Sequence, residues 1–113
     1  MSHDLRFSPA GETLAVVYVE GQLVLWDVQT GKLKQSIQAW ANELYTVDWT
    51  PDGSMLITGG YDSPLTFWNS TDLSIVGEFE SPEWIMSARF SPDRTKLTFA
   101  GQNRSPENRY VET

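Results

Sequence analysis

Short apolar runs divided by turn residues set the rhythm of this chain, most clearly between Tyr45 and Asn69. Tyr45, Val47 and Trp49 form one run, Met55-Leu56-Ile57 a second, and Leu65 with Phe67-Trp68 a third. Thr50-Pro51-Asp52-Gly53 separates the first two: Pro51 presets φ, Asp52 offers a side-chain hydrogen bond to its own turn, and Gly53 takes the remaining angle. Tyr61-Asp62-Ser63-Pro64 separates the second and third, with Pro64 expected at the first residue of its strand, where a missing N–H does no harm. The pattern predicts a meander of three antiparallel strands. Upstream, Leu14-Ala15-Val16-Val17 is apolar on both faces, which suits a sheet packed between two others.

The meander repeats. Ser8-Pro9-Ala10-Gly11 returns as Thr50-Pro51-Asp52-Gly53 and again as Ser91-Pro92-Asp93-Arg94, at steps of 42 and 41 residues. Phe7, Trp49 and Phe90 keep those steps, as do Leu14, Leu56 and Leu97, and Trp26-Asp27 returns as Trp68-Asn69. A period of about 40–45 residues with four strands per unit is the signature of propeller blades. The phased residues resemble the WD-repeat β-propellers over nearly the whole chain. The fold class expected is therefore all-β, a β-propeller fragment of four-stranded antiparallel blades: two blades plus part of a third.

The turns divide the chain into a first blade at 1–38, entered inside its first strand near Leu5, a second at 39–80, and a partial third at 81–113. The third should supply strands at Ile85–Phe90 and Lys96–Ala100, then a polar tail in which a strand begins near Arg109. Propellers close with roughly 4–8 blades, and repeat units bury their faces only against neighbours. Two and a half blades leave two open faces, so the chain is expected to be part of a longer protein or to self-assemble.

The resemblance also implies a buried network in which a His, an Asp, a Ser or Thr and a Trp are linked within each blade. Thr58, Asp62 and Trp68 of the second blade match three of its parts. The fourth is missing, because Ala39-Trp40 stands where the family has Gly-His, nine residues before Trp49. A buried Asp62 then needs another donor, and the hairpin amides around Ser63–Leu65 are the expected one; without it the cost is about 1–3 kcal/mol. The first blade has Glu20 and Val16 at the corresponding places, and the third only approximates them with Asn103 and Thr98 or Phe99.

Composition narrows the function. Apolar residues at 40% and charged residues at 20% describe an ordinary globular protein rather than a disordered one. With no Cys there is no disulfide, no thiolate chemistry and no Cys-based metal site. The net charge of −7 is concentrated: between Lys34 and Arg89 there is no Lys, Arg or His. Over that interval Glu43, Asp48, Asp52, Asp62, Asp72, Glu78, Glu80 and Glu83 make the second blade wholly acidic. Such a surface repels phosphate backbones, so no nucleic acid is expected as a partner, and it steers basic ones. The longest apolar run, Leu14–Val19, is too short to span a membrane, and no membrane association is expected.

No catalytic constellation can be drawn. The single His, His3, sits at the chain's start; Asp52 and Asp93 serve turns; no glycine-rich phosphate loop precedes a helix. The chain is read as no enzyme and as using no cofactor and no metal. By resemblance it is a scaffold for a protein or peptide, possibly basic, held at a rim built by Asn42, Glu43, Tyr45, Tyr61, Trp84 and Met86, with Val19 and Gln102 in weaker positions. Trp26, Trp49 and Trp68 are expected in the core, and Trp40 and Trp84 in connectors. The expected compartment is the cytoplasm. The rival class is a propeller segment of a periplasmic translocation protein, a peptidase or a quinone-dependent enzyme, where Ser-Pro-Asp-Gly turns also recur. The phased Trp26-Asp27 and Trp68-Asn69 favour the first class.

Overall fold

The computed structural model describes residues 1–40, 42–61, 63–80, 84–91, 96–102 and 107–112, with side chains to Thr98 except those of Ser63 and Trp84. Among the described residues, eleven strands form three antiparallel sheets. The first holds β1 (Ser2–Phe7), β2 (Thr13–Tyr18), β3 (Gln22–Asp27) and β4 (Leu33–Gln38) in sequence order. The second holds β5 (Leu44–Trp49), β6 (Met55–Gly60), β7 (Ser63–Asn69) and β8 (Ile75–Phe79), and the third β9 (Trp84–Phe90), β10 (Lys96–Gln102) and β11 (Glu107–Glu112). The expectation of an all-β chain with four-stranded antiparallel sheets is borne out.

The hairpin turns explain the spacing. Thr50 Oγ1 accepts the Met55 N–H at 3.0 Å, and Ser8 and Ser91 do the same for Thr13 and Lys96, each at 3.1 Å. One hydroxyl at each repeat therefore fixes where the returning strand starts. Asp52 adds more than a single turn bond: its Oδ1 receives the Thr50 hydroxyl at 2.8 Å, the Ser54 N–H at 3.0 Å and the Ser54 hydroxyl at 2.8 Å.

Packing occurs between the sheets. Ala15, Val17, Leu23 and Leu25 meet Leu44, Val47, Trp49, Leu56, Trp68 and Leu73 in one core. Ile57 and Leu65 meet Ile85, Ala88 and Leu97 in the next, flanked by Phe67 and Phe90. Each central sheet face is thus covered by its neighbour, as repeat units require.

Four expectations are corrected. Strand β1 starts at Ser2 rather than near Leu5, because Ser2 to Phe7 pair with Tyr18 to Leu14 despite their polar start. The strand in the tail starts at Glu107 rather than near Arg109, since Glu107 to Glu112 pair with Gly101 to Lys96; a ladder needs backbone groups, not apolar side chains. Pro64 is the second residue of β7 rather than the first; Ser63 pairs with Gly60 beside a register shift in β6. Trp26 is only partly buried, and Phe7 is 58% exposed, because the face they share with Leu14 and Val28 has no neighbouring sheet. The turn at 92–95, Asp62, and the connector Ser81-Pro82-Glu83 lie outside the described residues, as does Asn103.

Trp40 packs against the first core, and its indole Nε1 is buried with no hydrogen-bond partner among the described residues. Its carbonyl closes on the hairpin at Gly21, whose φ is +87° and where an added Cβ would lie 1.9 Å from the Trp40 oxygen. Gly11 has a similar φ of +77° but open space around it. Gly11→Ala should therefore lower unfolding free energy by about 1 kcal/mol, from backbone strain alone, and Gly21→Ala by at least about 2 kcal/mol. Urea midpoints of the two variants would show it; equal shifts would mean that the Trp40 carbonyl yields without cost.

Candidate functional site

The innermost strands β1, β5 and β9 lie side by side and are tied together by polar side chains. Asp4 Oδ2 accepts the Val47 N–H at 3.2 Å from the next sheet. One sheet further on, Thr46 Oγ1 accepts the Ala88 N–H at 3.2 Å, and Asp48 Oδ2 the Phe90 N–H at 3.0 Å. These N–H groups belong to the edge strand of a sheet and have no ladder partner on that side. Arg89 then spans all three sheets: Nη2 donates to Asp4 Oδ2 at 3.0 Å, and Nη1 to Thr46 Oγ1 at 2.8 Å and to the Val47 carbonyl at 3.3 Å. Arg6 holds the other Asp4 oxygen at 3.2 Å, while its carbonyl accepts the Trp49 indole N–H at 2.9 Å.

Burial pushes the Asp48 carboxyl above its ordinary value, against the opposing pull of the Phe90 and Trp49 N–H donors and Arg6. A raised carboxyl favours the protonated folded state. Its contribution to stability is present in full below the ordinary carboxylate range and is lost as pH rises through the raised value. Asp27 and Asp72, each held low mainly by turn N–H groups of Thr30 and Ser74, run the opposite way: their stabilisation is present at neutral pH and fades on acidification.

At one end of these strands the register slips in all three sheets. Ser2 and Asp4 pair with adjacent residues, leaving His3 as the extra one; Tyr45 and Met86 are left over in the same way in β5 and β9. His3, Tyr45 and Met86 are thus bulge residues at equivalent positions, 42 and 41 residues apart. Bulges re-aim side chains and commonly flank binding sites.

Around them the structure gathers part of the expected rim. The Tyr61 N–H donates to the Glu43 carbonyl at 2.9 Å, which places both beside Tyr45. The Tyr45 phenol is held above its usual value by burial first, then by the Glu43 and Tyr61 charges. His3 Nε2 lies 3.0 Å from Glu43 Oε2, and its ring meets Tyr45 edge-on, with centroids 5.1 Å apart. Tyr61 and Met86 are 37% and 38% exposed, and Asn42 is exposed. The Trp84 side chain lies outside the described residues. Sequence reasoning set His3 aside, yet subtracting 42 from Tyr45 finds it.

Of the expected structural network, Trp68 Nε1 donates to Thr58 Oγ1 at 2.9 Å, fully buried; Asp62 is outside the described residues. The Val16 position of the first blade offers Trp26 no such acceptor. Among the described residues no three His, Asp or Glu side chains converge to hold a metal ion.

Three comparisons bear on this arrangement. The family profile described as the anaphase-promoting complex subunit 4 WD40 domain matches residues 2–52. Human WD repeat and SOCS box-containing protein 1 is 28% identical over 91% of the chain, and the silkworm (Bombyx mori) eukaryotic translation initiation factor 3 subunit I is 26% identical over 80%. The chain spans about a quarter of these relatives, 25% and 27% of their lengths. Among solved structures, the β-propeller domain of Myceliophteria thermophila Cps50 (Swd1) superposes on 95% of the chain with a TM-score of 0.83 at 20% identity, the chain covering 34% of it. Kuenenia stuttgartiensis hydrazine synthase superposes on 99% with a TM-score of 0.91 at 18% identity, the chain covering 32% of it. At these identities the structural likeness speaks for the fold alone.

If Arg89 and Asp4 act as one unit, a double-mutant cycle of Asp4→Ala and Arg89→Met should show a coupling of about 1 kcal/mol, modest because Arg89 is about one-third exposed. Denaturant titration of the four proteins measures it. Additive losses would mean that the pair contributes nothing beyond its separate hydrogen bonds.

Proposed function

We propose that this chain, which is similar to WD-repeat β-propellers, works as a non-enzymatic platform that holds a protein or peptide partner at the rim formed by Glu43, Tyr45 and Tyr61. The observation that carries the reading is the bulge at Tyr45, which presents its ring beside a carboxylate and a second tyrosine. Aromatic rings with an acidic neighbour suit a Lys or Arg side chain, through cation–π contact and charge pairing. The wholly acidic second blade steers such a partner toward the same end. Asn42, Met86 and Trp84 complete the proposed surface. The curated relatives bear WD-repeat and initiation-factor-subunit names, which accord with an assembly role. A cytoplasmic setting belongs to the same proposal.

A displayed library of random peptides, selected against the chain at low salt, tests this. Selected peptides should be enriched in Arg and Lys, and their binding should weaken as ionic strength rises. Tyr45→Ala, Tyr61→Ala and Trp84→Ala should each cost about 2 kcal/mol, as anchor aromatics do, while Glu78→Lys and Glu80→Lys on the far side of the blade should matter little. Salt-independent binding with silent aromatic variants would remove the rim from consideration and leave the acidity as solvated surface.

A further inference from the structure

His3 makes, within the chain, the contacts that the proposed partner would make from outside. Its planar nitrogen ring lies edge-on against Tyr45 at 5.1 Å and points Nε2 at a Glu43 carboxylate oxygen 3.0 Å away. Ring contact with a tyrosine plus an N–H directed at a carboxylate is what a guanidinium offers to the same two groups. A compact ammonium offers the charge without the plane. We infer that the Glu43–Tyr45 pair is a seat for an arginine side chain of a partner peptide, and that His3 occupies this seat in the free chain and must leave before the arginine can enter. The inference rests on the rim reading and gives it a ligand and a built-in competitor.

The bulge supports the arrangement. His3 is the extra residue of β1, so it can rotate away without breaking a ladder bond that pairs it to β2. The seat and its occupant are accessible: the Glu43 side chain is 42% exposed, Tyr45 is partly exposed, and the His3 side chain is 31% exposed. Nothing buried has to open.

Competition of this kind depends on pH. Protonated His3 pairs with Glu43 through a charge-assisted bond; neutral His3 offers only a weaker one. Other titratable groups near it are engaged elsewhere. On its own strand Asp4 is held by Arg6 and Arg89, at 3.2 and 3.0 Å. In the following turn Glu20 pairs with the Met1 amino group at 3.6 Å. On β2, Tyr18 stands opposite Ser2, and on β5 the Tyr45 phenol is held above its usual value and so stays neutral between about pH 5.5 and pH 8. Arginine keeps its charge throughout. Acidification, which favours the charged imidazole, should therefore strengthen the competitor and leave the ligand unchanged.

The probe is N-acetyl-Ala-Arg-Ala-amide, with the citrulline tripeptide as its uncharged isostere. Each is titrated against the 113-residue chain at about pH 5.5 and about pH 8 while the His3 and Tyr45 ring resonances are followed by NMR. The arginine peptide should bind about three- to tenfold more weakly at the lower pH. Its binding should move the His3 ring lines as the imidazole leaves Tyr45. His3→Ala should bind the peptide equally, within about twofold, at both pH values. It should bind at least as tightly as the unaltered chain does at the higher pH. Glu43→Gln should lose most of the affinity, and citrulline should bind poorly throughout.

A flat pH profile in the unaltered chain, or an unchanged profile in His3→Ala, overturns the competitor; citrulline binding as well as arginine overturns the charged seat. Failure here with library peptides still lost in Tyr45→Ala would remove the His3 device and leave the rim standing. Failure of both would remove the rim.

Discussion

Each blade of this protein starts with an edge strand, and an edge strand carries N–H groups that its own sheet cannot satisfy. The chain meets this constraint with side chains from the blade before. Asp4 serves Val47, Thr46 serves Ala88 and Asp48 serves Phe90, all at 3.0–3.2 Å. A buried N–H left unpaired costs about 1–3 kcal/mol, so three such contacts compete in size with the burial of a large apolar side chain. They also fix how far one inner strand can slide along the next. The apolar cores between sheets fill the space, but these bonds set the register in which they do so.

The same strands produce the site. Where each inner strand departs from its ladder, one residue is left over and re-aimed, giving His3, Tyr45 and Met86 at equivalent places. The proposed binding surface would thus be a by-product of how the strand ends, carried on a scaffold whose interior is locked. Residue identity there is free to vary: a histidine, a tyrosine and a methionine occupy one structural position. On the proposed reading, what the rim recognises is set by the neighbours it gathers, here Glu43 and Tyr61, rather than by the fold.

Much of the architecture was legible because the period is marked by residues whose role is local. Proline, glycine and hydroxyl-bearing turn residues act within five positions, and their recurrence at 42 and 41 gave the blades directly. The Thr58–Trp68 bond was legible for a similar reason, since both positions recur in a known pattern. The Asp4–Arg89 pair was not, because its partners are 85 residues apart and meet only through the curvature of the stacked blades. Trp26 was misjudged because its repeat position is buried only where a neighbouring sheet exists. β11 was underestimated because its side chains are polar while its pairing depends on the backbone. His3 was overlooked through its place near the start, although the repeat arithmetic applied to it as well as to Tyr45.

Amide hydrogen exchange at Val47, Ala88 and Phe90 tests the central constraint most directly. These amides sit on sheet edges, so without the contacts described they should exchange as quickly as other exposed edge amides. With them, protection should approach that of amides inside the ladders, and Asp4→Ala should release Val47 while leaving Ala88 and Phe90 protected. Rapid exchange at all three in the unaltered chain, or no selective release in Asp4→Ala, would contradict the account.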